Sequence, residues 1–351
     1  MADAPGNTAP DFARRVISWQ QTAGRHGLPW QQTRDGYRIW LSETMLQQTQ
    51  VATVIPYYTR FLACFPTLQA LADAPLANVL ELWSGLGYYA RARNLHRCAR
   101  AVVAERAGQF SADPRDNARL PGIGRSTAAA ISVFAFGRRT AILDGNVRRV
   151  LVRCFGIAPD NSPAQNERAL WLLAESLLPE EAIEAYTQGM MDLGATVCTR
   201  HKPKCDACPL QAICVASRDG RQAELPGRAA RKTLPERASR VLLLTDGRQV
   251  LLERRPPSGI WGGLLSLPEL PGESVETFAR RQGCRLCSTQ ALPPISHRFT
   301  HFRLTIAVLR GDVEATARPT GEDLWHWLPL EHVATAALPT PIRKLLLSLH
   351  R

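Results

Sequence analysis

The sequence predicts two architectures in tandem: a mainly α region over about the first two thirds of the chain, then, after a linker, an α+β domain. Three observations lead there. Apolar residues recur at helical spacing as far as a compact group of four cysteines. The stretch that follows, 217–238, is polar, basic and broken by Gly and Pro, and beyond it apolar residues alternate with a period of two.

The helical spacing covers 12–21, 42–65, 76–83, 88–105, 126–136, 147–155, 167–178 and 181–193, with Pro or Gly in the gaps. Past the linker, 241–245 and 250–253 flank Asp246-Gly247-Arg248, a hairpin signal. Residues 302–310 alternate as another strand, and a helix near 341–350 closes the domain.

A chain of 351 residues is too long for one ordinary core and implies two or three domains. Its 43 Lys+Arg against 31 Asp+Glu favour an anionic partner such as nucleic acid. The excess is shared: residues 1–222 hold 25 basic and 19 acidic side chains, so both parts could face a phosphate backbone. No run of 18 apolar residues occurs, and residues 1–10 lack a basic stretch followed by an apolar one; the expectation is a cytoplasmic chain with no membrane segment. Five scattered cysteines, Cys64, Cys98, Cys154, Cys284 and Cys287, fit reduced thiols; the Cys284/Cys287 pair has no second pair nearby and is assigned no metal.

Two motifs carry chemistry. Cys198, Cys205, Cys208 and Cys214 lie within 17 residues as C-x6-C-x2-C-x5-C, whose short loops turn four thiolates toward one metal centre. Spacing alone leaves zinc and iron–sulfur open. Leu120-Pro121-Gly122-Ile123-Gly124-Arg125-Ser126-Thr127-Ala128 reads as a tight hairpin between helices, with glycines that uncover backbone amides and a helix start that can face a phosphate oxygen. The bland alternative is a plain corner between two helices.

LPGIGRSTA, then Asp144 in ILDGNVRRV eighteen residues after Ser126, then the four cysteines, resemble the helix-hairpin-helix DNA glycosylases that carry an iron–sulfur cluster and are related to endonuclease III. WLSETMLQQTQVATVIPYY (40–58), LWSGLGYYARARNL (82–95), MMDLGATVCTRHKPKCDACPL (190–210) and RPPSGIWGGLLSLPE (255–269) narrow the resemblance to the MutY family of adenine DNA glycosylases over nearly the whole chain. It implies one [4Fe-4S] cluster on the four cysteines, an all-α catalytic region over 1–216 and a Nudix-like lesion-recognition domain over 239–351. Within 1–216 it implies a helix-hairpin-helix module at about 30–136 and a cluster module made of 1–29 with 137–216. The partner implied is double-stranded DNA with adenine opposite 8-oxoguanine or guanine, bound by a monomer.

Breaking the bond to adenine needs a proton on the leaving base and negative charge beneath a sugar that becomes cationic. Glu43 reads as a first-turn residue after a Ser42 cap; the resemblance makes it the proton donor. Asp144 reads as a turn or helix cap, and the resemblance makes it the stabiliser of the sugar cation, with Asn146 holding the site. Leu28, Trp30, Leu46 and Gln188 match positions that line the pocket for a flipped adenine. Gln48, Thr49 and Tyr88 match residues near the opposite base, while Gly122, Gly124, Arg125 and Ser126 match the backbone-gripping hairpin. The run Gln47-Gln48-Thr49-Gln50 is expected at the start of an amphipathic helix. His201, Lys202 and Lys204 would face the DNA backbone from the cysteine loop.

The first 201 residues contain no lysine. Strand-cutting relatives use a lysine amine at the position held here by Ser126, so the resemblance implies base removal with little strand cleavage. Residues 262–285 lack the acidic helix of Nudix hydrolases, which makes the second domain a reader. Its lesion loop is expected at Phe299-Thr300-His301, with threonine where the family typically has serine. Two other readings stay open: a non-catalytic DNA-binding metalloprotein, and a bifunctional pyrimidine glycosylase disfavoured by Ser126.

Overall fold

A computed structural model describes residues 9–158, 162–227, 233–270, 272–315 and 325–349. By contacts the chain forms two compact units, Met1–Ala72 with Arg97–Ala230, and Asp73–His96 with Arg231–Arg351. By contacts the segment 73–96 groups with the C-terminal third. Nothing in composition or periodicity marks it off from its neighbours.

In chain order the helices are α1 Ala9–Ala23, α2 Gly36–Leu46, α3 Val51–Cys64, α4 Leu68–Asp73, α5 Leu76–Leu82, α6 Ala90–Arg106, α7 Pro114–Asn117, α8 Arg125–Phe136, α9 Gly145–Cys154, α10 Pro163–Ser176, α11 Ile183–Asp192 and α12 Val215–Arg218. A π-helical turn, Leu193–Val197, extends α11 toward the cysteines. None of the described helices is long and apolar enough to cross a membrane.

Two expectations fail at the start of α2. The continuous helix over 42–65 is broken at 47–50, so the glutamine-rich run joins two helices, with Gln50 as the N-cap of α3. Ser42 is no cap: it is buried inside α2 and its hydroxyl donates to the Ile39 carbonyl, one turn back. Asp35 takes the capping role, accepting from the Tyr37 amide at 2.8 Å, and Glu43 therefore lies in the last turn of α2.

One core of the helical unit joins distant segments. Phe12 and Val16 of α1 pack with Val147 and Leu151 of α9, Trp171 of α10 and Met190 of α11. Gly189 permits the close approach of α1 to α11, because a Cβ there would stand 2.8 Å from the Val16 side chain.

The second unit holds a six-stranded sheet of β1 Glu236–Thr245, β2 Gln249–Arg254, β3 Leu265–Ser266, β4 Cys284–Arg298, β5 Arg303–Ala315 and β6 Trp325–Pro329. The order is β3-β2-β1-β5-β4, with β6 also paired to β2. β1 and β5 run parallel from Glu236↔Arg303 to Thr245↔Asp312, and β4 with β5 forms a long antiparallel hairpin. Alternation in β1 sorts side chains to two faces. Leu243 joins a core with Ile342 and Leu346 of the helix Thr340–Ser348, while Leu242 and Leu244 join Phe278 of the helix Val275–Arg281. The Asp246–Arg248 turn forms as expected, with the Asp246 carboxylate accepting from the Arg248 and Gln249 amides. The first three residues of β1, 236–238, lie inside the expected linker, and 228–232 lie outside the described residues.

Candidate active site

The helical unit encloses a cleft of about 1610 Å³. Glu43 reaches it from the end of α2 and Asp144 from the start of α9, so two carboxylates 101 positions apart in sequence line one cleft. Leu28, Trp30, Leu46 and Gln188 line the same cleft, as do Gln48, Thr49, Ser126 and Asn146.

The two acids differ in their surroundings. Glu43 has no hydrogen-bond donor among the described residues, and burial, reinforced by the negative charge of Asp144, pushes its carboxyl up to about 7. Asp144 is the N-cap of α9: its Oδ1 accepts from the Asn146 amide at 2.9 Å and the Val147 amide at 2.7 Å, and the Asn146 side chain approaches Oδ2 at 3.4 Å. Burial raises this carboxyl too, against those donors and the nearby Arg149. Only Asp144 thus receives contacts that favour the anion, whereas Glu43 is placed to hold a proton near neutrality.

Asn146 is itself fixed. Arg149 donates to its Oδ1 at 2.8 Å, to the Gly194 carbonyl at 2.6 Å and to the Cys198 carbonyl at 2.7 Å. A Cβ at Gly194 would fall 2.5 Å from that of Asn146, so only glycine lets the π-helical turn lie against α9 here. Gln188 donates to Asp192 Oδ1 at 2.8 Å, and Asp192, fully buried, also accepts from the Arg25 amide at 2.8 Å and its guanidinium at 2.5 Å. Sequence reasoning missed Asp192, Arg25 and Arg149; the one available signal was an aspartate set among Met190, Met191 and Leu193.

Trp30 packs edge-on against Tyr58, 5.3 Å between ring centroids, so packing and pocket lining coincide. Gln48 and Tyr88 are both exposed and both left-handed, with φ of 60° and 50°, a conformation unfavourable for residues with a side chain. Tyr88 belongs to the second unit, between Gly87 and α6.

In the hairpin, Gly122 takes φ 76° and Gly124 caps α8. Arg125 is already engaged, paired with Glu175 at 2.5 Å and lying 3.8 Å over the Trp171 ring. The Ser126 hydroxyl accepts from the Leu143 amide at 3.1 Å, which ties the hairpin to the Asp144 turn. Phe299, Thr300 and His301 form the tip of the β4–β5 hairpin. Phe299 stacks on Phe302 at 4.5 Å, and Thr300 and His301 are exposed.

The four cysteines line one small pocket whose other walls include Arg153, Lys204 and Gln222 and no carboxylate. Arg153 is almost fully buried and donates to Cys198 Sγ at 3.4 Å, and Gln222 approaches Cys205 Sγ at 3.7 Å. A buried guanidinium and an amide aimed at sulfur suit thiolates that keep their negative charge in a metal centre. Cys284 and Cys287 sit on β4 in the other unit, one buried and one exposed.

Comparison with known proteins finds two family matches along the chain, the first of which includes the segment 73–96. Residues 41–176 match the HhH-GPD superfamily of base excision DNA repair proteins, and 240–348 match the NUDIX domain. The adenine DNA glycosylase of Buchnera aphidicola (subsp. Baizongia pistaciae) is 34% identical over 337 residues, covering 95% of each chain. That of Homo sapiens is 35% identical over 401 residues, covering 95% of this chain and 73% of the human one. Among solved structures, a thermostable thymine-DNA glycosylase aligns over 62% of this chain and 100% of its own at TM-score 0.56 and 29% identity. Endonuclease III in a non-covalent DNA complex aligns over 61% of this chain and 96% of its own at TM-score 0.51 and 20% identity, a likeness of fold.

Proposed function

The chain belongs to the adenine DNA glycosylases, enzymes of DNA repair, and from that membership we propose that it removes adenine mispaired with 8-oxoguanine or guanine, without cutting the strand. The observation that carries this reading is the shared cleft in which Glu43 is raised to about 7 while Asp144 is held by amide donors.

Adenine flipped from the duplex enters between Leu28, Trp30, Leu46 and Gln188. Glu43 gives its proton to N7 of the base, which makes adenine a better leaving group. Asp144, favoured as the anion by the Asn146 and Val147 amides, faces the sugar as positive charge develops, forms a transient bond to it as the bond to adenine breaks, and is released when water attacks the same carbon. Asn146, clamped by Arg149, keeps that carboxylate aimed. The absence of lysine before Lys202 leaves the catalytic helices no amine for a Schiff base.

The hairpin of Gly122, Gly124, Arg125 and Ser126 grips the backbone chiefly through its amides, since Arg125 is occupied. Gln48 of the helical unit, with Thr49 next to it, and separately Tyr88 of the second unit are read as residues that enter the stack beside the opposite base. Residues 239–351 read the lesion through Phe299, Thr300 and His301, residues 1–216 perform the chemistry, and 217–238 link them, in a monomer acting on cytoplasmic DNA. Cys198, Cys205, Cys208 and Cys214 would hold one [4Fe-4S] cluster. The four sulfurs line one pocket, with the Arg153 guanidinium donating to Cys198 Sγ, which supports a shared metal centre there. When bound, the cluster supplies a structural tie for the loop bearing His201, Lys202 and Lys204, since breaking this bond moves no electron.

The test is a duplex bearing adenine opposite 8-oxoguanine, analysed with and without alkali. Strand breaks that need alkali support the reading. Breaks without it, with borohydride trapping of a covalent adduct, would refute the single-activity assignment.

A further inference from the structure

The second unit contains a hydrogen-bonded latch around the loop that presents Tyr88. Trp83 is fully buried at the end of α5, and its indole donates to the Gly87 carbonyl at 3.1 Å, closing the loop on itself. The Arg91 guanidinium lies 5.4 Å from the centroids of both Trp83 and Tyr88 and donates to the Leu86 and Gly87 carbonyls. These contacts shape the loop.

Contacts from the C-terminal part of the same unit then fix its place. The buried Tyr89 hydroxyl donates to the Leu338 carbonyl at 3.2 Å. Arg343, from the C-terminal helix, donates through one nitrogen to the Ser84 hydroxyl and, at 2.7 Å, to the Ala336 carbonyl. Arg93 donates to the Gly262 carbonyl at 2.7 Å, and a Cβ at Gly263 would press on Leu80 of α5 at 3.1 Å. Arg343 has no carboxylate partner among the described residues, and its Nε is buried without an acceptor. A half-buried cation given wholly to carbonyl and hydroxyl acceptors contributes little to stability by ion pairing. Its geometry instead holds Ser84 and the 336–338 turn together.

Between these anchors Tyr88 stands 50% exposed at φ 50°. A bulky residue stays left-handed only where its surroundings enforce it. We infer that Arg343 and Tyr89 are positioning residues for the DNA contact made by Tyr88, so that the C-terminal domain acts on the mispair through this loop as well as through its hairpin tip. The inference rests on the reading of Tyr88 as a residue that enters the base stack.

A double-mutant cycle on the full-length holoenzyme tests it. The readout is affinity for a duplex carrying a non-cleavable 2′-fluoro adenosine opposite 8-oxoguanine. Tyr88→Ala is expected to weaken binding about tenfold or more, the worth of one stacking contact. Arg343→Ala and Tyr89→Phe should each weaken binding about threefold to tenfold with Tyr88 present, and not at all in the Tyr88→Ala background. Arg343→Lys, which keeps one donor, should recover part of the loss. Equal fold-losses in both backgrounds overturn the inference while leaving Tyr88 as a DNA contact. A silent Tyr88→Ala overturns that reading and the inference with it. If Arg343→Ala fails to fold, Tyr89→Phe, the loss of one hydroxyl, carries the cycle alone.

Discussion

The two units treat acidic side chains in opposite ways. The helical unit carries Glu43 and Asp144 into a single cleft, where burial raises both carboxyls and amide donors steady only one. In the sheet unit, the helix Val275–Arg281 has the sequence VETFARR: one glutamate, two arginines in its last turn, and Phe278 turned into the core. Enclosure makes an acid useful for proton transfer, whereas a helix with one exposed glutamate cannot gather the several carboxylates a hydrolytic metal site requires. The difference fits the proposal that one unit performs the chemistry and the other reads the lesion.

The sharpest way to break that contrast is Glu43→Gln. Adenine release should fall by about 10²–10⁴, the usual contribution of a general acid, while affinity for the mispaired duplex persists. Single-turnover assays beside binding measurements decide it; a variant that keeps its rate would show that the cleft acid is not the proton donor.

The next effect is on pH dependence. Glu43 must be protonated to act, and its carboxyl lies at about 7, so the single-turnover rate should be highest below that value. Above it the rate should drop toward tenfold per pH unit, following the fraction protonated. A rate that rises through pH 7 would reverse the assignment of acid and anion.

The smallest effect concerns the reader. Thr300→Ala with His301→Ala should reduce preference for 8-oxoguanine over guanine by about tenfold, the scale of one good base contact, with a smaller change in the rate on the guanine mispair. An equal loss on both substrates would mean that the hairpin tip contributes affinity without discrimination.

The architecture was legible because periodicity reports burial directly: the helical run up to the cysteines, the Asp246–Gly247 turn and the alternation over 302–310 each appear in the structure. The site was legible only in part. Asp144 as a cap followed from its place before α9, but Glu43 was put at the wrong end of its helix, because Ser42 looked like a cap and Asp35 lay just outside the apolar pattern. Its elevated proton affinity comes first from burial within the folded cleft and then from the charge of Asp144, 101 positions away, and no local pattern encodes either. Arg25 with Asp192, and Arg149 with Asn146, are likewise pairings of tertiary origin. The grouping of 73–96 with the C-terminal third left no trace in composition at all.

That grouping bears on the order of events during synthesis. The carbonyls that receive Tyr89 and Arg93 belong to Leu338 and Gly262, so the ribosome delivers them 249 and 169 residues after their donors. The loop bearing Tyr88 can therefore make these two hydrogen bonds only when the last third of the polypeptide has emerged. A chain stopped before residue 262 would keep Glu43 and Asp144 yet leave the Tyr89 hydroxyl and the Arg93 guanidinium without these acceptors.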